Sequence, residues 1–198
     1  MIKVPSYNKD NRKKPTFFTQ LPKGAYVCKI LNIEAKKSKK DQDMLKISFD
    51  IAEGEYKDFY MNQYKANKSE NKDWSYDAVM YLLIPYDGCE AFVSQNWDTF
   101  WADVEDSNNG YVFTGDENSV KGKTFGGIFR IEQTEGKNGN VYDHTRLYKT
   151  RIAQDIRDGK VTKLPNDKLV KAAAPSPNDA TADGFIDISS SAEDYPWK

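Results

Sequence analysis

From Met44 to Ile51 the chain alternates strictly, with Leu45, Ile47, Phe49 and Ile51 on one side and Lys46, Ser48 and Asp50 on the other. A period of two is the mark of a half-buried strand, because successive side chains point to opposite faces of a sheet. Ala52-Glu53-Gly54 is a turn signal, and Glu55 to Met61 is predicted to return as the second arm of a hairpin. An earlier β-rich run, Gly24 to Ala35, precedes these two. Thr124 to Gln133 and Val141 to Ile152 flank Glu135-Gly136-Lys137-Asn138-Gly139-Asn140, a hairpin loop with two glycines. The pattern predicts a mainly β domain of five strands.

One segment breaks the β pattern. Val93, Trp97, Phe100, Trp101 and Val104 recur at helical spacing, which predicts a helix over about 90–105, stopped by Asn108-Asn109-Gly110. With acidic neighbours at Asp98, Asp103, Glu105 and Asp106, this aromatic stripe is read as core packing. Residues 62–117 are therefore placed as an insertion between the third and fourth strands. Within it Trp74, Tyr76, Tyr81 and Leu82 are expected to be packed. Residues 1–22 read as a basic arm anchored by Phe17 and Phe18, and residues 23–171 as the folded domain. From 172 to 198 small and acidic residues dominate, a composition that cannot bury enough apolar surface to fold.

A net charge of −1 conceals a segmented distribution. Residues 1–48 carry twelve Lys/Arg against four Asp/Glu, a balance of +8, and residues 49–117 carry four against fifteen, or −11. Residues 118–171 return to +6, and the last 27 residues carry −4. Two basic blocks can fold into one basic face that suits a polyanion. No apolar run approaches the roughly 18 residues of a membrane span, and the first residues lack a secretory core, so a cytoplasmic location is expected. Cys28 and Cys89 match neither a disulfide framework nor a zinc spacing, and His144 is the one histidine. Nothing implies a metal or another cofactor.

The final strand carries the most suggestive chemistry. Tyr142, His144, Arg146 and Tyr148 share one face, with Lys149 and Arg151 on the other. Rings offer bases a sequence-blind surface to stack on, and cations track phosphates. The preceding strand adds Phe129 and Arg130 beside Gly126 and Gly127, where glycine lets a backbone or a nucleotide approach closely. Lys36, Lys37, Lys39 and Lys40 lie between the first two strands, and Lys137 lies in the later hairpin loop. In a Greek-key barrel of the OB type, the loops joining strands 1–2 and 4–5 border an oligonucleotide groove.

The chain closes on Glu193-Asp194-Tyr195-Pro196-Trp197-Lys198. Asp194, Tyr195, Pro196 and Trp197 resemble the tail tip of bacterial single-stranded DNA-binding proteins, which docks into partner enzymes and competes for the DNA groove. Here Lys198 follows the aromatic residue. Across residues 20–170 the chain resembles a phage and prophage family thought to bind single-stranded DNA beside recombination genes. The likeness rests on Gly-Ala-Tyr-Val-Cys-Lys-Ile at 24–30, Leu-Lys-Ile-Ser-Phe-Asp-Ile-Ala-Glu-Gly-Glu-Tyr at 45–56, Ser-Asn-Asn-Gly-Tyr at 107–111, Lys-Gly-Lys at 121–123 and the acidic tail.

The resemblance implies an OB-like five-stranded Greek-key barrel with a disordered acidic tail. It also implies sequence-independent binding of single-stranded DNA in replication or recombination, without enzymatic activity. Replication or recombination proteins become candidate partners through the tail, and self-association is compatible with the sequence. Two other readings stand beside it. A phage structural or adaptor protein would use the β domain for assembly and show no salt-dependent DNA binding. A Mg-dependent nuclease would use Asp50, Glu55 and Lys57, which have the letters of an acid followed by Glu-x-Lys on a hairpin.

Overall fold

The computed structural model describes residues 20–170. Its strands are β1 (Gly24–Lys37), β2 (Asp43–Ile51), β3 (Val79–Leu83), β4 (Thr124–Glu135) and β5 (Val141–Arg151). Helices α1 (Phe59–Ala66), α2 (Ala91–Ser107) and α3 (Ala153–Arg157) punctuate them. All pairings are antiparallel, and the strands form one sheet in the order β3-β2-β1-β4-β5. The mainly β expectation holds. The sheet is open, however, because no ladder joins β3 to β5 among the described residues.

The alternation that predicted β2 is real on its core side: Leu45, Ile47, Phe49 and Ile51 are all buried. The opposite side departs from expectation, since Ser48 and Asp50 are buried too. Asp50 explains the change. Its carboxylate accepts hydrogen bonds from the amides of Ile51 (2.8 Å), Tyr60 (2.9 Å) and Met61 (3.0 Å). Tyr60 and Met61 are the second and third residues of α1, whose N-cap residue Asp58 makes no side-chain cap. Asp50 therefore satisfies, from a neighbouring strand, donors that a helix start leaves orphaned.

This local chemistry overturns the returning strand at 55–61, which is a turn leading into α1. Tyr56, Phe59 and Tyr60 are spaced as a helix face, not as a strand, and Tyr60 meets the Phe49 ring edge-on at 6.4 Å. The third strand of the sheet is Val79–Leu83, inside the segment expected to be an insertion. Lys36 and Lys37 are also re-placed: both belong to β1, and only residues 38–42 make the turn.

The core lies between the sheet and α2. Phe49, Phe125 and Phe129 from the sheet meet Phe100 and Val104 from the helix, all almost completely buried. The expected helix at 90–105 is α2, with Val93, Phe100, Trp101 and Val104 turned inward as the spacing required and Trp97 half-buried. Gly126 and Gly127 serve internal packing. A Cβ on Gly126 would lie 2.6 Å from Ile156 Cγ1 of α3, and one on Gly127 would lie 2.7 Å from the Phe129 ring. The close approach read from these glycines is thus made by α3 and the core. Cys28 is a buried thiol and Cys89 is half-buried. No helix among the described residues is long and apolar enough to cross a membrane.

Candidate nucleic-acid interface

Because β3 and β5 do not pair, their edges border a groove of about 950 Å³ with α2 along one wall. The turn after β1 enters it through Lys39 and Lys40, and β5 contributes Arg146, Tyr148, Lys149 and Arg151. Tyr81 of β3 and Tyr86 from the β3–α2 connection add two tyrosines, and Phe92 and Phe100 line the wall made by α2. Tyr81, Tyr86 and Tyr148 are exposed. Five cations thus face two carboxylates in the lining, Glu90 and Glu132, and Glu132 already accepts from Arg130 at 2.8 Å.

None of Lys39, Lys40, Arg146, Lys149 or Arg151 has a carboxylate within ion-pair distance among the described residues. Their neighbours in sequence differ. Lys36 lies 3.5 Å from Glu34 and Lys37 lies 2.9 Å from Asp43, which raises the Lys37 pKa through that hydrogen bond. The run of four lysines therefore divides into two paired residues on the strand and two unpaired ones at the groove.

A bulge shapes the β5 wall. Ile128 pairs with Lys149 and Phe129 with Leu147, leaving Tyr148 as the extra residue. Tyr148 keeps to the side of Arg130, whose guanidinium carbon lies 4.3 Å from its ring centroid. The bulge also brings Lys149 Nζ to 5.3 Å from that centroid, although simple alternation puts Lys149 on the other face. Arg146 lies 3.9 Å from the ring centroid of Tyr76 in the 3-10 turn Tyr76–Ala78. His144 lies 3.2 Å from Asp77 in the same turn. These two contacts tie the turn before β3 to β5 at one end of the gap.

Of the residues singled out from sequence, Lys39, Lys40, Arg146 and Tyr148 converge on the groove. His144 and Arg130 stand beside them, engaged with Asp77 and Glu132. Lys137 and Tyr142 lie at or next to the β4–β5 turn, outside the lining, with the Tyr142 hydroxyl 3.3 Å from Asn138 Nδ2. That bond, with one from Asn140, lowers the Tyr142 pKa. Phe129 is a correction. It is 0% exposed, with its centroid 6.0 Å from that of Phe49, and has no surface to offer a ligand. Asp194, Tyr195, Pro196 and Trp197 fall outside the described residues.

Sequence reasoning missed Tyr81 and Tyr86 and placed Tyr76 in the core, yet Tyr76 is 59% exposed. The available signal was the apolar run Val79-Met80-Tyr81-Leu82-Leu83 closed by Pro85, which has the length of a strand. The acid–Glu-x-Lys letters do not assemble into a site. Asp50 is buried against α1, whereas Glu55 and Lys57 are exposed in the turn. Among the described residues no group of three His, Cys, Asp or Glu side chains is placed to hold a metal. No family model matches the chain, and no curated protein is significantly similar to it.

Proposed function

We propose that this chain binds single-stranded DNA in the groove between β3 and β5, without regard to base sequence and without catalysis. The observation that carries this reading is the convergence of five cations, none within ion-pair distance of a carboxylate among the described residues, with three exposed tyrosines in one groove. Stacking rings and phosphate-tracking cations are the two components that single-strand binding combines. The connectivity supports an OB-type reading. β1 pairs with both β2 and β4, β4 and β5 form a hairpin, and a helix joins β3 to β4. In a closed barrel of that type β3 would meet β5, and here that seam is the groove. The resemblance to phage single-stranded DNA-binding proteins points to replication or recombination in a bacterial cytoplasm. Asp194 to Trp197 would then recruit partners or compete for the groove.

The test is a fluorescence titration of a six-nucleotide oligo-dT, which fills the groove alone, and of a longer strand compared with its matching duplex, at 50 and 200 mM salt. Engagement of all five cations gives a log–log salt slope of about −3.5, since each neutralised phosphate on a single strand contributes roughly 0.7. The single strand should bind more tightly than the duplex and lose about a hundredfold in affinity over that salt range. Lys39→Ala/Lys40→Ala/Arg146→Ala should bring the slope to about −1.4. A flat salt response, a preference for duplex, or an unchanged slope in the triple variant overturns the proposal. The free edges of β3 and β5 favour a second reading, an adaptor that accepts an extended polypeptide strand. Absence of oligonucleotide binding at both salt concentrations would select it.

A further inference from the structure

The connection from α1 to β3, residues 67–78, holds rings and lysines that the groove does not use. Tyr76 is the link. Arg146 lines the groove and covers one face of the Tyr76 ring, yet that side chain is the most exposed of its groove-side aromatic neighbours. Two residues earlier, Trp74 is fixed by a bond from its Nε1 to the Ala78 carbonyl (3.2 Å) and stands 5.8 Å from Tyr64 of α1. Lys72 Nζ sits 4.5 Å from the Tyr64 ring centroid. Lys65, Lys68 and Lys72 have no carboxylate within ion-pair distance among the described residues, although Glu70 and Asp73 share the segment. Rings and cations thus continue from Tyr148 and Arg146 through Tyr76 to the Trp74–Tyr64 pair and Lys72.

We infer that the single-strand site extends beyond the groove, over Tyr76, onto the end of α1 and the α1–β3 connection, where Lys65, Lys68 and Lys72 hold phosphates and Tyr76 receives a base, with Trp74 packed against the core beneath. The inference rests on the groove reading and lengthens its site. A short oligonucleotide fits in the groove alone, and a long one reaches the connection as well. Single-strand site sizes on OB folds run from about 4 to 16 nucleotides, so both regimes are accessible.

Oligo-dT of six and of sixteen nucleotides should be titrated against the full chain, Lys65→Ala/Lys68→Ala, and Tyr76→Ala. Both replaced lysines are exposed, so the double variant should melt as the wild type does. The wild type should bind the longer strand more tightly and with a steeper salt slope. The double variant should leave six-nucleotide binding within twofold and flatten the sixteen-nucleotide slope by about 1.4. Tyr76→Ala should weaken the longer complex by about fivefold or more. Equal wild-type affinity and slope for both lengths overturns the extension and leaves the groove standing. Variants that weaken both lengths alike, or neither, also overturn it. Failure of the wild type to bind either strand removes the groove and the extension together.

Discussion

Replacing Asp50 by alanine strands three backbone donors at once, those of Ile51, Tyr60 and Met61. Tyr60 is 2% exposed, so water does not take over its amide, and a buried donor left unmade costs about 1–3 kcal/mol. Three donors near the lower end of that range total about 3–4 kcal/mol. Part is returned, because burial pushes the Asp50 carboxyl above its ordinary range against the pull of the three amides. Asp50→Ala should therefore destabilise the domain by about 2–3 kcal/mol. With a urea m-value of about 2 kcal/mol/M, the midpoint falls by about 1–1.5 M. Asp50→Asn keeps one oxygen for Ile51 and Tyr60 but turns an NH₂ toward Met61, and should lose about 1 kcal/mol. Urea unfolding followed by circular dichroism at 222 nm gives both values. A variant as stable as the wild type refutes the capping role. Loss of a Mg²⁺-dependent nuclease activity without loss of stability would return Asp50 to catalysis.

Phe129→Ala should cost about 3–5 kcal/mol, as expected for a core phenylalanine, whereas Tyr148→Ala should spare the melting temperature and weaken oligo-dT binding about fivefold or more. The reverse pattern would mean that the two faces of β4 and β5 have been exchanged. Gly127→Ala, whose Cβ would sit 2.7 Å from the Phe129 ring and 3.0 Å from Cys28 Sγ, should lower stability by about 1–3 kcal/mol in the same urea assay. A neutral result there would show that the core yields. Burial raises the Asp103 carboxyl above its ordinary 3.8, although the bond from Thr150 pulls it down. The folded state thus holds this proton more tightly than the unfolded chain. The resulting stability is complete below about pH 4 and is lost as pH rises through the raised value. Asp103→Asn should melt with the wild type at the acid end and above it near neutrality, and a constant gap across pH 3.5–7.5 contradicts this.

How much was legible follows from the range of the forces involved. β2, α2 and the β4–β5 hairpin were readable because period-two alternation, a 3.6-residue stripe and a two-glycine turn are local signals. The start of α1 was not readable, because its capping carboxylate comes from Asp50, outside any local window. Missing α1 displaced the third strand, so Val79–Leu83 was absorbed into an insertion and Tyr81 into a core. At the groove, residue types pointed to Arg146 and Tyr148, but a bulge decided that Lys149 joins them. Pairing separated Lys36 and Lys37 from Lys39 and Lys40, and pairing depends on where Glu34 and Asp43 fall after folding. Phe129 failed for a related reason: alternation fixes two faces without saying which is wet.

Backbone amide shifts on addition of six-nucleotide oligo-dT to ¹⁵N-labelled protein test the central claim most directly. Saturable shifts should concentrate at residues 38–42, along the free edges of β3 and β5, and at Tyr86. The β4–β5 turn around Lys137 should stay still. Shifts confined to that turn and to Tyr142, or no shifts at all, would contradict the assignment of the groove as the site.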